Sequence, residues 1–418
     1  MRSIGLIITL ALLTAGLACA QEPSPSNAVV RSLDEVARVL QKYDLTYDPA
    51  VAEKAVVEAL VQAADPYGMV LSEDETARVR EERTGVFHVA DVGLAVTDGV
   101  ARVSEVKKDT PAEEAGLQVG EEVQEIDKGV VAGLRLTEIE ELLRGPADEA
   151  VLFKVQGTNG VARTAEVKRT PRQAGAIQTA EDLPLGLCYL RLNGLYERCS
   201  KDIILTLRGW AQLGRSGVVL DLRGANGMAL KSAAEVASLF AEPNSMLFKF
   251  QDGQAQELDV FKATSGTPLD MPAMALVDEA TSGAAEVLVA AFAGSTRGVM
   301  LIGLETAADP AIREIVELSD GRKLYIVTKR LVTANGTVYD GREGVTPALV
   351  VDATQVEPEF EPEPVTSGKM VISDEEKQHG QLRERVRRDP ALRRAVDVLL
   401  GLKALNIRGT GRVQNPVP

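Results

Sequence analysis

Residues 217–223, Gly-Val-Val-Leu-Asp-Leu-Arg, form a continuous apolar run with no alternation between faces, the pattern of a strand buried on both sides, and Gly224-Ala225-Asn226-Gly227 ends it. The surrounding sequence repeats the theme. Residues 187–192 read as a strand, and Ile203, Ile204, Leu207, Trp210 and Leu213 fall on one face of a crossover helix. A helix over 231–240, strands over 245–250 and 273–277, a helix over 283–293 and a strand over 299–303 continue the alternation. From 181 to 352 the chain therefore predicts βαβ units and a mostly parallel sheet.

Chemistry in such a fold belongs where a strand gives way to a helix, because free N–H groups at the helix start stabilise developing negative charge. Residues 276–313 have that form: strand, polar turn, alanine-rich helix, strand, loop. Nucleophilic catalysis needs an oxygen or sulfur beside a group that takes its proton. Thr281 and Ser282 supply hydroxyls at the turn, and Ser282 also suits a helix N-cap. Lys323 and Lys329 lie on predicted hairpin strands, with Ser319-Asp320-Gly321 as the turn. Asp309 and Arg313, opposite in sign and four apart, predict an ion pair. Asp221 and Glu286 are expected to form structural hydrogen bonds. The two histidines, His88 and His379, fall in a strand of another domain and in a polar tail, so neither a histidine triad nor a metal site is expected, and no cofactor is called for.

The 418 residues suffice for two or three domains, and a net charge of −15 argues against a nucleic-acid backbone as partner. Arg2, an apolar run over 4–17 and Ala18-Cys19-Ala20 read as a secretory signal with a mature start near Gln21, giving a periplasmic or extracellular protein. Lipid attachment at Cys19 lacks the expected leucine, since Gly16 stands there, and the run is short for a membrane span. Two cysteines would remain, Cys188 in a strand and Cys199 early in a helix, read as free thiols with pairing as the alternative. After a leader over 22–27, helices are expected from Val29 to Leu40, over 49–64, and from a Ser72/Glu75 capping box to about 82. The chain divides into a signal (1–20), a helical segment (21–84), a middle domain (85–171), the α/β core (172–352), and an acidic proline-rich linker with a terminal helix (353–418) opened by Asp389-Pro390-Ala391.

Several of these stretches carry a family likeness. Thr110-Pro111-Ala112-Glu113-Glu114-Ala115-Gly116-Leu117, then Val119-Gly120-Glu121-Glu122-Val123, then a helix ending Leu142-Leu143-Arg144-Gly145 resemble a PDZ domain. Asp65-Pro66-Tyr67-Gly68, Tyr189-Leu190-Arg191-Leu192, Val218 to Gly227, and Leu318-Ser319-Asp320-Gly321 resemble the C-terminal processing peptidases, or tail-specific proteases, which have a ClpP/crotonase-like core. The resemblance places Gly283 at the serine nucleophile, Asp309 at the lysine base and Arg313 at the assisting glutamine. It makes Gly224, Gly227 and Met228 the oxyanion-hole candidates, and it makes Gly93, Leu94, Ala95 and Val96 a loop that holds the carboxylate of a protein's C-terminal tail. It thus implies the fold of a serine protease without its reactive groups, which binds tails or envelope partners. The alternatives are an active enzyme using Ser282, although a shift of one residue at a helix start turns a side chain by about 100°, and a purely structural envelope protein. A homo-oligomer stays open. On an intact scaffold, serine at 283 with lysine at 309 is expected to regain weak hydrolysis.

Overall fold

The computed structural model describes residues 25–97, 99–147, 149–157, 159–264, 266–295, 297–352, 380, 382, 384–407 and 409. The signal-like leader with Cys19, the acidic linker over 357–364 and His379 lie outside the described residues. Among the described residues no helix is long and apolar enough to cross a membrane.

The chain divides into two compact units, 1–59 and 60–418. The first contains α1 (Pro25–Lys42) and the start of α2 (Pro49–Ala64). Helix α1 begins inside the stretch expected as a leader, because proline at a first helical turn sacrifices no hydrogen bond. Its Val30 and Val36 are more than half exposed.

The second unit opens with β1 (Met69–Leu71) and α3 (Glu73–Thr84). The expected capping box starts α3: Ser72 Oγ accepts the Glu75 N–H at 3.2 Å and the Glu75 carboxylate accepts the Ser72 N–H at 2.8 Å. Gly85, at φ +66°, closes it.

The middle domain runs β2 (Val86–Val89), β3 (Gly93–Thr97), β4 (Val100–Glu105), α4 (Pro111–Glu114), β5 (Glu122–Ile126), β6 (Gly129–Val130), α5 (Leu136–Leu143), β7 (Ala150–Gln156), β8 (Ala162–Lys168) and β9 (Thr170–Gln173). Five of these strands form an antiparallel sheet in the order β3-β4-β5-β7-β8, with β6 beside β5, and β2 pairs with β9. Strand β7 alternates buried and outward residues, and Val151, Phe153 and Val155 meet Ile126 and Ile139 in one core. The structure corrects one expectation here: Gly93 to Val96 is strand, not loop. Leu94 points into the core and the segment ladders with β4, so the turn falls earlier, at 90–92, and β3 becomes an outer strand of its sheet.

The core comprises β10 (Ile177–Leu183), β11 (Leu187–Leu192), α6 (Ser200–Gln212), β12 (Gly217–Asp221), α7 (Leu230–Ala237), β13 (Met246–Gln251), β14 (Glu257–Lys262), β15 (Ala273–Val277), α8 (Gly283–Ser295), β16 (Val299–Gly303), β17 (Arg313–Glu317), β18 (Lys323–Val327), β19 (Arg330–Thr333), β20 (Val338–Tyr339), β21 (Leu349–Val350) and α9 (Pro390–Ala404). The central sheet has the order β10-β11-β12-β15-β16-β21, parallel except for β10. All of β12 and β15 is buried, as the unbroken apolar runs require. Residues of α6, α7 and α8 pack on one face, and on the other Leu392, Ala395 and Leu399 of α9 cover Leu187, Tyr189, Val219 and Met274. Smaller sheets β14-β13-β19-β20 and β1-β18-β17 flank it. Leu213 departs from the predicted helix face, since α6 stops at Gln212 and leaves it 72% exposed.

Candidate functional site

The site forms where β12 and β15 end, between the turn 224–228 and the start of α8. Thr281 fastens this junction: its buried hydroxyl donates to the Leu222 carbonyl at 2.9 Å and receives the Asp278 N–H at 3.1 Å. Gly224, which begins the turn, donates its N–H to Asp278 Oδ1 at 2.9 Å.

Three N–H groups at the start of α8, which could help cradle an anion, are engaged by the protein's own carbonyls. Ser282 N–H donates to Ala225 O at 3.0 Å, Gly283 N–H to Asp309 O at 2.8 Å, and Ala284 N–H to Gly227 O at 2.6 Å. Gly227 reaches that position at φ +106°, where a Cβ would lie 2.2 Å from the Leu195 carbonyl oxygen. Of the oxyanion-hole candidates, Gly224 thus spends its N–H on Asp278, while the Gly227 carbonyl accepts from the start of α8.

Gly283 is confined more tightly still. Its φ is +57°, and a Cβ there would lie 2.2 Å from Gly227 O, a backbone atom that no rotamer change can move aside. Serine at 283 is therefore excluded from this closed arrangement, and the expectation that a Gly283→Ser, Asp309→Lys pair regains hydrolysis is withdrawn. Ser282 occupies the position before the helix as anticipated. It is half-buried, and its carbonyl receives the Glu286 N–H at 3.2 Å.

Glu286 is fully buried and ties the following loop to α8. It accepts the Thr306 hydroxyl and the Ala308 N–H on Oε1, the latter at 3.0 Å, and the Asp309 N–H on Oε2 at 2.8 Å. Burial outweighs these donors and, helped by the nearby Asp309 carboxylate, pushes its carboxyl up to about 8. Asp309 accepts the Tyr325 hydroxyl on Oδ2 at 2.7 Å, while Oδ1 faces Arg313 Nη1 at 3.5 Å, the pair expected from their spacing.

That pair is the lesser of the two that Arg313 makes. Its guanidinium is 1% exposed and grips Asp65, with Nε to Oδ2 at 2.9 Å and Nη2 to Oδ1 at 2.8 Å. Nη1 and Nη2 also donate to the carbonyls of Ala308 and Gly341, each at 2.9 Å. Burial alone would raise the Asp65 carboxyl, but the guanidinium overrides it and holds it below the usual carboxylate range. In the sequence Asp65 stood out only within the stretch Asp65-Pro66-Tyr67-Gly68 that carries the family likeness, with nothing to mark it as the partner of Arg313.

Neither lysine of the predicted hairpin stands free as a displaced base. Lys323 Nζ contacts Glu73 at 2.7 Å and Lys329 Nζ contacts Glu314 at 3.1 Å, so both ammonium groups are paired. Cys188 and Cys199 are free, and burial beside Asp182 pushes the Cys188 thiol up to about 12. Among the described residues no group of three or more His, Cys, Asp or Glu side chains is placed to hold a metal ion.

Comparisons with known proteins cover both domains. Residues 186–351 match the model of Peptidase family S41, and 102–157 match that of the PDZ domain. The carboxy-terminal processing protease CtpA of Bacillus subtilis is 23% identical over 310 residues, which is 73% of this chain and 65% of that protein. The chloroplastic carboxyl-terminal-processing peptidase 1 of Arabidopsis thaliana is 25% identical over 319 residues, 72% of this chain and 64% of that one. The chloroplastic C-terminal processing peptidase of Tetradesmus obliquus is 28% identical over 328 residues, 73% and 68% of the two chains. This chain thus spans just under two thirds of the first two relatives' lengths, at 65% and 64%. Among solved structures, the photosystem II D1 C-terminal processing protease aligns with a TM-score of 0.41 at 23% identity, over 76% of this chain and 86% of that one.

Proposed function

We propose, from the premise that this chain belongs to the C-terminal processing peptidases and carries a PDZ domain, that it binds the C-terminal tails of exported or envelope proteins without cutting them. One observation carries the loss of cleavage: at Gly283 the backbone conformation and the Gly227 carbonyl leave no room for a nucleophile's side chain. The acid at 309 supports the same reading, because a carboxylate that accepts the Tyr325 hydroxyl differs from a neutral amine in both reach and basicity.

Tail binding needs less. An outer strand and apolar surface are enough, and β3 supplies the strand, with its first residue a glycine. Export rests on the leader sequence alone.

The test follows cleavage and binding separately, using the mature protein with an unfolded substrate and with labelled peptides bearing a free or amidated C-terminus. The expected result is binding that requires the free carboxylate, with no cleavage over many hours. Cleavage that disappears in Ser282→Ala would overturn the reading. Failure to bind any tail would leave a structural envelope protein.

A further inference from the structure

Arg223 stands directly before the turn 224–228 and faces two carboxylates at once. Its Nε and Nη2 donate to Asp221 Oδ1 and Oδ2 at 2.9 and 2.6 Å, and its backbone N–H donates to Oδ1 at 3.1 Å. On the other side, Nη1 and Nη2 donate to Asp389 Oδ1 and Oδ2 at 3.1 and 2.7 Å. Asp221 is fully buried at the end of β12 and also accepts the Tyr189 hydroxyl at 2.6 Å, so its oxygens are fixed. Asp389 is the N-cap of α9, receiving the Leu392 N–H at 3.0 Å on the same Oδ1.

The C-terminal helix is therefore joined, through one guanidinium, to the residue that launches the turn whose carbonyls close the start of α8. Two-pronged arginine–carboxylate pairs fix direction as well as distance, so the orientation of the chain at 223 is set from both sides.

We infer that α9 acts as a latch on the turn 224–228: Asp389, through Arg223, holds the turn in the form that places Ala225 O and Gly227 O on the N–H groups of Ser282 and Ala284. This coupling is independent of tail binding. It also assigns Asp389 a second task beside capping its helix, and the two can be separated. Asparagine keeps the oxygen that receives the Leu392 N–H but loses the charge that holds Arg223.

The experiment is site-resolved hydrogen–deuterium exchange on the full chain. In Asp389→Asn, exchange at Ser282 and Ala284, whose N–H groups the turn receives, should quicken by about tenfold, the scale of one charge-assisted hydrogen bond, while α9 keeps its protection. Arg385→Gln is the control. Arg385 anchors the same C-terminal region elsewhere, through Glu181 and over the Tyr189 ring at 4.0 Å, and reaches Arg223 only indirectly, through Tyr189 and Asp221. It should leave the turn unchanged. Asp389→Ser, also a competent cap, carries the same readout if the asparagine variant folds poorly. Unchanged exchange at 282 and 284 in the Asp389 variants, loss confined to α9, or equal loosening by Arg385→Gln would each overturn the latch.

Discussion

Arg313 and Asp65 are joined by two parallel hydrogen bonds across 248 positions of sequence, at 2.9 and 2.8 Å, in a region where neither side chain is more than 6% exposed. The pair binds the segment that follows α2 to the position where the family resemblance places a glutamine. A buried pair gains little over a well-packed apolar one, but breaking it strands the surviving charge. Asp65→Ala and Arg313→Gln should each lower unfolding stability by about 3–5 kcal/mol, read from urea midpoints. The double replacement Asp65→Leu, Arg313→Met should cost less than either single change. Additive losses would mean the two residues do not act as a pair.

Glu286 gives a pH signature whose sign follows from its burial. Folded, its carboxyl sits at about 8; unfolded, near 4.5. The folded state therefore holds the proton more tightly, and this contribution is complete below the unfolded value and is lost as pH rises through the folded one. Unfolding free energy should fall between about pH 5 and about pH 9, by an amount on the order of a few kcal/mol. In Glu286→Gln that slope should flatten. An unaltered slope in the variant would show that other groups produce it.

Gly283 should tolerate no side chain while the turn stays closed. Alanine there meets both a positive φ and a carbonyl oxygen 2.2 Å from its Cβ, so the backbone must shift. A loss of about 2 kcal/mol or more is expected on thermal or chemical unfolding. The Gly283→Ser, Asp309→Lys pair should fold less stably and show no peptide hydrolysis. Measurable turnover would mean that the turn opens readily and that the closed site is only one of its forms.

What could be read beforehand divides along physical lines. Unbroken apolar runs gave β12 and β15, and the capping pair Ser72 and Glu75 gave the start of α3, because these signals are local. Strand β14 escaped notice because its alternation rests on Leu258 and Val260 alone, a signal too short to stand out, and five of its six residues are exposed. Charge spacing foretold the contact of Asp309 with Arg313 but not the stronger one with Asp65, since pairing over such a distance is set by the sheet β1-β18-β17. The identity of Gly283 was plain in the sequence. That its place is filled by the Gly227 carbonyl was not, because it depends on how two turns meet.

Tail binding by strand addition makes a prediction that can be tested on the ligand, leaving the protein untouched. Gly93 is a poor probe for it. A Cβ there would lie 2.7 Å from Glu105 Cβ on the neighbouring strand, so a bulky residue would disturb the sheet itself. If an incoming peptide ladders with the outer edge of β3, its own amides must reach the β3 backbone at alternate positions. Methylating those alternate amide nitrogens should weaken binding at least about tenfold, or roughly 1.4 kcal/mol, in fluorescence anisotropy. Methylating the intervening amides should have little effect. Equal weakening by both patterns, or by neither, would mean that tails are held by side-chain contacts rather than as an added strand.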